Sequence, residues 1–403
     1  MIASDGIPTA IDDAPSRAIA IQLPPAMQPY ARSAVRWRVG CEVVVLRDGG
    51  ATFAAMIEAI AAAKTSICFE TYILAADRTG DRFKAALVER ARAGVAVRLL
   101  YDAIGSFGLP GSWLAELRAA GAEVIDFNPI APWRARFNLS HRDHRKILVV
   151  DNDVAFTGGL NIANDYAPVA DGGAGWHDVH CRVKGPIVLD LARLFRRTWL
   201  YSGGSRYPSP PRASDAQGAG GTSFVRMLEN TRRRSRSSIR RAYLHVIKQA
   251  RSSVLIQNAY FLPDRGLRRA LIGAVRRGVD VRVLVPGNSD VAMIEWASLY
   301  VMRRLARGGV KIMRWRGVMM HAKTAVVDAV WATIGSYNFD AQSRFSNLEV
   351  TVEILDPATG EALAKHFEHD VANCNVSNEE SWSRLPWWRK ALSWWSYRFR
   401  RFL

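Results

Sequence analysis

Two segments of the chain carry the same reactive side chains at the same intervals. The first, HRKILVVDNDVAFTGGLN, holds His144, Lys146, Asp151, Gly158, Gly159 and Asn161; the second, HAKTAVVDAVWATIGSYN, holds His321, Lys323, Asp328, Gly335, Ser336 and Asn338. Lysine follows histidine by two positions in both, aspartate follows lysine by five, glycine follows aspartate by seven, and asparagine follows that glycine by three. A lone His–Lys pair would read as well as two ordinary strand residues with a turn-forming aspartate. The same six positions recurring twice in one chain leave little room for coincidence.

Residues of these types suit a phosphate pocket. His-x-Lys ahead of an apolar run reads as a buried strand on which the two side chains, two apart, share a face. The aspartates, Asp151 and Asp328, belong to the motif and so to its catalytic set, but they close the strand at a turn and read as braces of the motif loop. The next short strand ends in Gly-Gly or Gly-Ser, where small side chains and backbone N–H groups let an anion approach. Gly159, Asn161, Ser336 and Asn338 are the expected phosphate contacts. One imidazole can serve as nucleophile or base. Two in one pocket divide the work, one attacking phosphorus while the other protonates the leaving oxygen. Lys146 and Lys323 would hold the non-bridging oxygens as charge redistributes. With the positive charge supplied by lysines, neither a metal nor another cofactor is expected. His141 and His144 with His177 and His180 could be drawn as a metal site, but no carboxylate completes a recognisable ligand set. His177 and His180 read as supports of the pocket; His245, His366 and His369 follow no pattern.

The elements that must position these residues are also repeated. AAKTSICFETYIL is followed by a helical pattern ending in ARAGVAVRLLYD; much later, ARSSVLIQNAYFL is followed by one ending in VRRGVDVRVLVP. In each, an apolar strand ends at an aromatic, Tyr72 or Tyr260, and a helix stops at a glycine, Gly94 or Gly278. A second strand follows, so each half contains the strand–helix–strand unit of an α/β layer. The stretch from Tyr201 to Ser223 is rich in Gly, Ser and Pro and reads as a linker. The expected organisation is a poorly ordered arm over 1–37, domains over 38–200 and 223–380 separated by a linker over 201–222, and a distinct tail over 381–403.

The 403 residues suffice for two domains with their own cores, and 49% hydrophobic content argues against global disorder. A net charge of +18 predicts attraction to polyanions, whether nucleic acid, an anionic membrane or phosphorylated substrates. The run Arg226–Ala250 is a basic cluster that reads equally as a substrate mouth or a solvated helix face. The four cysteines show no CxxC spacing, which disfavours a disulfide framework or zinc ribbon and favours a reducing compartment. The first 30 residues do not read as a signal peptide, and no run reaches the roughly 18 apolar residues of a membrane span.

At the duplicated H-x-K-x4-D and G-[GS]-x-N motifs the chain resembles the phospholipase D superfamily, over most of its length from about residue 40 to 370. The resemblance implies an α/β fold of two α-β-α sandwich domains related by a pseudo-twofold, with the active site at their junction and a covalent phosphohistidine intermediate. It further implies that His144 attacks and His321 is the general acid, and that an acid downstream of each motif orients its histidine. Asp178 in GWHDVH and Glu349 in SNLEV are the candidates, with Asp165 and Asp171 competing for the former. Within the superfamily, ETYIL, NAYFLPD, HRDHRK, GGLNIANDY and WHDVHCRVKGP are similar to bacterial cardiolipin synthases of the branch without N-terminal membrane helices. That likeness implies transfer of a phosphatidyl group from phosphatidylglycerol to an alcohol acceptor, with lipid hydrolysis or nuclease activity as the alternative on the same chemistry and a catalytically silent membrane-binding protein as a third. Nucleic acid is the less favoured partner.

The tail points to a membrane surface by itself. In WSRLPWWRKALSWWSYRFRRFL a helix would align Trp388, Leu392, Trp395, Phe399 and Phe402, with Arg389, Lys390, Arg400 and Arg401 opposite and Trp387 and Trp394 flanking. Aromatic and basic side chains so arranged suit the headgroup boundary; a core or partner-docking helix is the alternative. The expected location is peripheral, on the cytoplasmic face of a bacterial cell membrane.

Overall fold

The computed structural model describes residues 21–130, 140–213, 218–231, 237–377, 382 and 385–400. Short 3₁₀ turns apart, the first half runs β1 (Arg38–Leu46), α1 (Gly49–Ala61), β2 (Ser66–Thr71), α2 (Arg78–Arg92), β3 (Ala96–Asp102), α3 (Gly111–Ala119), β4 (Glu123–Phe127), β5 (Ile147–Val150), β6 (Val154–Gly158), β7 (His180–Lys184) and α4 (Ile187–Tyr201). The second half runs β8 (Ser223–Asn230), α5 (Ser238–Gln249), β9 (Ser253–Asn258), α6 (Arg265–Arg276), β10 (Asp280–Val285), α7 (Ala292–Arg307), β11 (Lys311–Trp315), β12 (Lys323–Val327), β13 (Trp331–Gly335), α8 (Ala341–Phe345), β14 (Glu349–Leu355) and α9 (Pro357–Val371). A further strand, β15 (Cys374–Ser377), and a last helix, α10 (Trp387–Arg398), follow.

The strand order is β4-β3-β2-β5-β6-β7-β1 in one half and β11-β10-β9-β12-β13-β14-β8 in the other, so the halves are topological copies. They join edge to edge where β1 pairs antiparallel with β8, making one 15-stranded sheet with β15 added at the far edge of the second half. Helices cover both faces, which is why ILVV in β5 and KTAVV in β12 are buried at every position. One apolar cluster lies under α1, α2 and α3, another under α5, α6 and α7, and a third, built around α4 and α9, draws side chains from both halves. The α/β fold with paired halves is the one the repeats predict.

Local sequence sets the element ends. Asp77 and Asp264 cap α2 and α6 by accepting from Gly80 N and from Gly266 N and Leu267 N. Gly94 and Gly278 close those helices with the same left-handed φ of 87°. The arm expected over 1–37 is docked from Ile21 onward: Leu23, Tyr30 and Trp37 are buried in the second half's core, and Tyr30 Oη donates to Asp328 (2.7 Å). Its first 20 residues lie outside the described residues, as do 214–217 of the expected linker. Among the described residues no helix is long and apolar enough to cross a membrane.

Candidate active site

Parallel strands β2–β4 and β9–β11 point their carboxyl ends to one side of the sheet, and β5 and β12, antiparallel to β2 and β9, begin there. His144 and Lys146 therefore sit at the mouth of the first half, and His321 and Lys323 at that of the second. The two mouths are tied together by backbone. His144 N donates to Leu348 O (3.0 Å) and Leu348 N to Arg142 O (2.9 Å); in the mirror arrangement, His321 N donates to His177 O (2.6 Å) and His177 N to Met319 O (2.8 Å). Each histidine strand is thus clamped by the segment that carries the other half's acid.

The consequence is an exchange of partners. Glu349 Oε1 and Oε2 each lie 3.1 Å from His144 Nδ1, and Asp178 Oδ2 lies 2.7 Å from His321 Nδ1. The sequence reading pairs each acid with the histidine of its own motif; the structure pairs it with the histidine of the opposite half. Asp165 and Asp171 are not among the contacts of either ring. A carboxylate only accepts, so Nδ1 carries hydrogen in both rings and Nε2 is left with its lone pair. Lys323 Nζ also lies 2.9 Å from His321 Nδ1, but that nitrogen cannot donate to Asp178 and accept from Lys323 at once. The shorter carboxylate contact takes the hydrogen, and the ammonium is satisfied by His321 O.

Burial dominates the electrostatics. Loss of water, aided by the charge of Lys323, pushes Lys146 down to about 7, although Glu349 supports its charge; burial brings Lys323 down to about 8 against the pull of Asp178 and Glu349. Burial and then Lys323 lower His321 to about 4, while burial and then Lys146 lower His144. Burial would raise Asp178, but Lys323 and His321 outweigh it and hold the carboxyl below its usual range. Each motif also feels the other's charge, Lys146 acting on His321 and Lys323 on His144. Both imidazoles are neutral near pH 7 in a pocket that still carries positive charge, the state in which a ring nitrogen can attack phosphorus.

Several expected contacts serve the pocket in other ways. Gly159 N donates to Val179 O, so it is not free for an anion, and a Cβ there would sit 2.1 Å from Asp178 Oδ1. Glycine is needed to admit the carboxylate. Ser336 Oγ donates to Glu349 Oε2 and its N–H to Val350 O, so this residue aligns the acid instead of facing a phosphate. Asn161 Oδ1 accepts from Ile73 N (3.2 Å) and its Nδ2 donates to Tyr166 Oη (2.6 Å). Asn338 Oδ1 is buried without a partner in the structure, beside the second motif.

Asp151 and Asp328, counted with the catalytic set by their place in the motif, lie at the opposite ends of β5 and β12, roughly 16 Å along a strand from the lysines. Asp151 accepts from the N–H groups of Lys64, Thr65 and Ser66, and Asp328 from those of Arg251, Ser252 and Ser253, fixing the starts of β2 and β9. Each begins a two-residue turn in which both central residues have positive φ (Asp151 53°, Asn152 57°; Asp328 54°, Ala329 53°), the geometry that matches sheet twist. They brace the fold and touch no reacting group.

Aromatic walls went unassigned in the sequence. Tyr72 meets His144 edge-on at 5.0 Å; Tyr166, Trp176 and Tyr260 surround His321 at 5.5, 6.0 and 6.1 Å. The strand-ending aromatics Tyr72 and Tyr260 were the available signal. His177 Nε2 lies 2.8 Å from Asp370 and its ring stacks on Trp315 at 5.0 Å, while His141 Nδ1 lies 2.8 Å from Ser346 O. Among the described residues no group of three or more His, Cys, Asp and Glu side chains could hold a metal. Of the basic cluster, Arg226 is committed to a buried ion pair with Glu353 and Arg240 to Asp264; residues 232–236 lie outside the described ones.

Helix α10 rests on α7 through Ser393 and Ser396, both buried, with Tyr397 stacked on Tyr300 at 4.5 Å. Trp388, Leu392, Trp395 and Phe399 face outward. Phe402 and Arg401, expected to extend the two faces, lie outside the described residues.

Comparison with known proteins gives a consistent picture. A family described as cardiolipin synthase, PLD-like domain, matches residues 56–199 and 243–371. A cardiolipin synthase of Geobacillus kaustophilus is 33% identical over 374 residues, covering 89% of this chain and 74% of the relative. Cardiolipin synthase A of Pseudomonas fluorescens is 36% identical over 345 residues, covering 84% and 71%. The crystal structure of a phosphatidylserine synthase from Haemophilus influenzae Rd KW20 aligns with a TM-score of 0.69 at 15% identity, over 91% of this chain and 95% of that one, a likeness of fold.

Proposed function

This chain belongs to the PLD-like family of cardiolipin synthases and is a phosphatidyltransferase that forms cardiolipin; we propose that it does so by a two-step exchange through a phosphohistidine, with phosphatidylglycerol as donor. The observation that carries the mechanism is the pair of imidazoles, each with Nδ1 fixed by a carboxylate of the other half, flanked by two buried lysines. His144 Nε2 attacks phosphorus, the bond from phosphorus to the glycerol oxygen breaks, and His321 gives that oxygen a proton. An acceptor hydroxyl then takes glycerol's place. His321 removes its proton, the oxygen attacks phosphorus, and the P–N bond to His144 breaks. Lys146 and Lys323 hold the non-bridging oxygens throughout, and Asn161 and Asn338 border the same space. A bound phosphodiester supplies the negative charge that draws a proton back onto His321 and keeps both lysines charged. The tighter carboxylate contact, on His321, favours that ring as the one that becomes imidazolium.

The substrates are lipids, so the enzyme works at a membrane surface. We assign peripheral attachment on the cytoplasmic face to α10, which turns its small serine face to the protein and its aromatic stripe outward, the reverse of a helix built to stay in water. The net charge of +18 favours an anionic leaflet. Incubation with phosphatidylglycerol vesicles, with and without added glycerol, tests the reading. Diphosphatidyl lipid with release of free glycerol is expected, and added glycerol should drive the reaction back. Phosphatidic acid alone would replace the transferase with a hydrolase, and degradation of single-stranded DNA without lipid turnover would replace it with a nuclease.

A further inference from the structure

Exposed large apolar side chains on this protein gather at one place. Apart from the α10 stripe, and from Val39 within β1 and Val376 within the edge strand β15, those among the described residues stand beyond the strand ends of the mouth: Ile130 follows β4 and Met293 opens α7, while Phe107 (82% exposed), Val169 (70%), Val291, Val318 (65%) and Phe345 stand on five separate connections, after β3, β6, β10, β11 and β13. All five connections leave the strand ends that form the mouth. The connections at the opposite ends of the sheet (62–65, 93–95, 120–122, 151–153, 251–252, 277–279, 308–310 and 328–330) carry none of the exposed large apolar side chains found among the described residues. Single exposed apolar residues such as Val39 and Val376 need no explanation; a set gathered on the connections at one end of a sheet does.

Four of the five tips sit next in sequence to residues that line or brace the pocket, while their own side chains point away from it. Phe107 follows Ser106, whose Oγ donates to Tyr72 O (3.1 Å), and the Tyr72 ring faces His144. Val291 follows Asp290, which accepts from Tyr260 Oη (2.7 Å), and the Tyr260 ring faces His321. Val318 precedes Met319, whose carbonyl holds the strand bearing Asp178. Phe345 precedes Ser346, whose carbonyl meets His141. Val291 stands at the start of α7, where Trp296 meets Trp388 of α10 at 6.3 Å, so the mouth tips continue into the outward stripe. Arg316 and Arg344 stand close by in the chain: Arg344 lies over the Phe345 ring and pairs with Asp264 (2.9 Å), and Arg316 donates to Ala372 O (3.0 Å).

We infer that Phe107, Val169, Val291, Val318 and Phe345 form a membrane-docking rim around the active-site mouth that seats the protein, together with α10, mouth-down on an anionic bilayer. The inference rests on the lipid-transferase reading for its occupant, because a substrate held by its acyl chains reaches a buried pocket only if the pocket opens onto the bilayer. In this orientation the rings and branched side chains enter the acyl boundary, the arginines remain at headgroup level, and the lipid phosphate rises into the pocket with its chains still in the leaflet.

The test uses the full chain with Cys374→Ser, which leaves three buried cysteines, and one environment-sensitive fluorophore attached at Phe107→Cys, Val318→Cys or, as a control at the far end of the sheet, Ala62→Cys. On phosphatidylglycerol vesicles the probes at 107 and 318 should shift to shorter wavelength while the probe at 62 does not. Vesicle binding without a shift at 107 and 318, or with an equal shift at 62, overturns the rim. In parallel, the double variant Phe107→Ser/Val318→Ser should lose roughly tenfold or more of its turnover on vesicles, while turnover of a short-chain phosphatidylglycerol dissolved as monomers stays within about twofold. Equal loss on both substrates would give these residues a role in the chemistry and overturn the rim. Shifts at 107 and 318 without formation of diphosphatidyl lipid would leave the rim standing and remove the transferase.

Discussion

Asp178→Asn should disable His321 and spare His144, although Asp178 lies in the same half as His144. Asparagine keeps the shape of the side chain and can still accept from His321 Nδ1, now 2.7 Å from the carboxylate. It removes a buried negative charge from beside a ring that must become imidazolium. A charge-assisted hydrogen bond contributes about 1.5–3 kcal/mol and a neutral one about 0.5–1.5, so charge loss alone costs about 1–2 kcal/mol, or roughly 5- to 30-fold in rate. The amide can also turn its NH2 toward the ring and select the wrong tautomer, which extends the loss toward about 10⁴-fold. Glu349→Gln should do the same to His144, whose two contacts at 3.1 Å are looser. The assay is a donor with a p-nitrophenyl leaving group, which departs without a proton. Under single-turnover conditions the release of p-nitrophenolate reports formation of the phosphohistidine. His321→Ala and Asp178→Asn should both retain that burst while losing steady-state turnover of phosphatidylglycerol; His144→Ala and Glu349→Gln should both lose the burst. If Asp178→Asn behaved like His144→Ala and Glu349→Gln like His321→Ala, the exchange of acids between halves would be refuted, whichever histidine is the nucleophile.

Other outcomes follow from the same geometry. On a soluble diester, kcat/KM should fall as pH rises from 7 to 8, because Lys146 and Lys323 lose their protons near there. Over the same interval the unfolded chain keeps its lysines protonated, with pKa about 10.4, so it binds more protons than the folded one and these two groups make stability rise with pH. Activity falling with pH while the denaturation midpoint holds or rises would mark titration; parallel losses would refute it. Ser336→Ala removes the hydroxyl that aligns Glu349 and should lower kcat about tenfold with KM little changed; a change confined to KM would return the hydroxyl to the substrate. Asp328→Ala frees three backbone N–H groups and the Tyr30 hydroxyl and should cost ~1–3 kcal/mol, read as a lower melting temperature, while turnover per folded molecule stays within a few-fold. Removing residues after Trp382 should weaken vesicle binding without changing turnover of a soluble diester, and unchanged binding would refute α10 as an anchor.

What the sequence determined by itself is the part of this protein that local pattern encodes. The repeated spacings, the apolar runs of β5 and β12, the Asp caps of α2 and α6 and the glycines that end those helices depend on neighbours a few positions apart, and they suffice for two copies of an α/β half with a His–Lys pair at the mouth of each. Type and interval also identify Asp178 and Glu349 as the acids to watch, but not whom they serve. That choice was made by tertiary structure. His144 meets Glu349 across 205 positions and Asp178 meets His321 across 143, because β1 pairs with β8 and each motif strand is held by the backbone of the other half. The same packing turned Gly159 and Ser336 from expected phosphate contacts into the seat and the brace of those acids, whereas the place of Asp151 and Asp328 at the far ends of their strands was already legible in the turns they close. A one-dimensional pattern fixes which groups share a strand face; which strands face each other, and which apolar tips end up around one mouth, is decided only when distant segments bury their surfaces together.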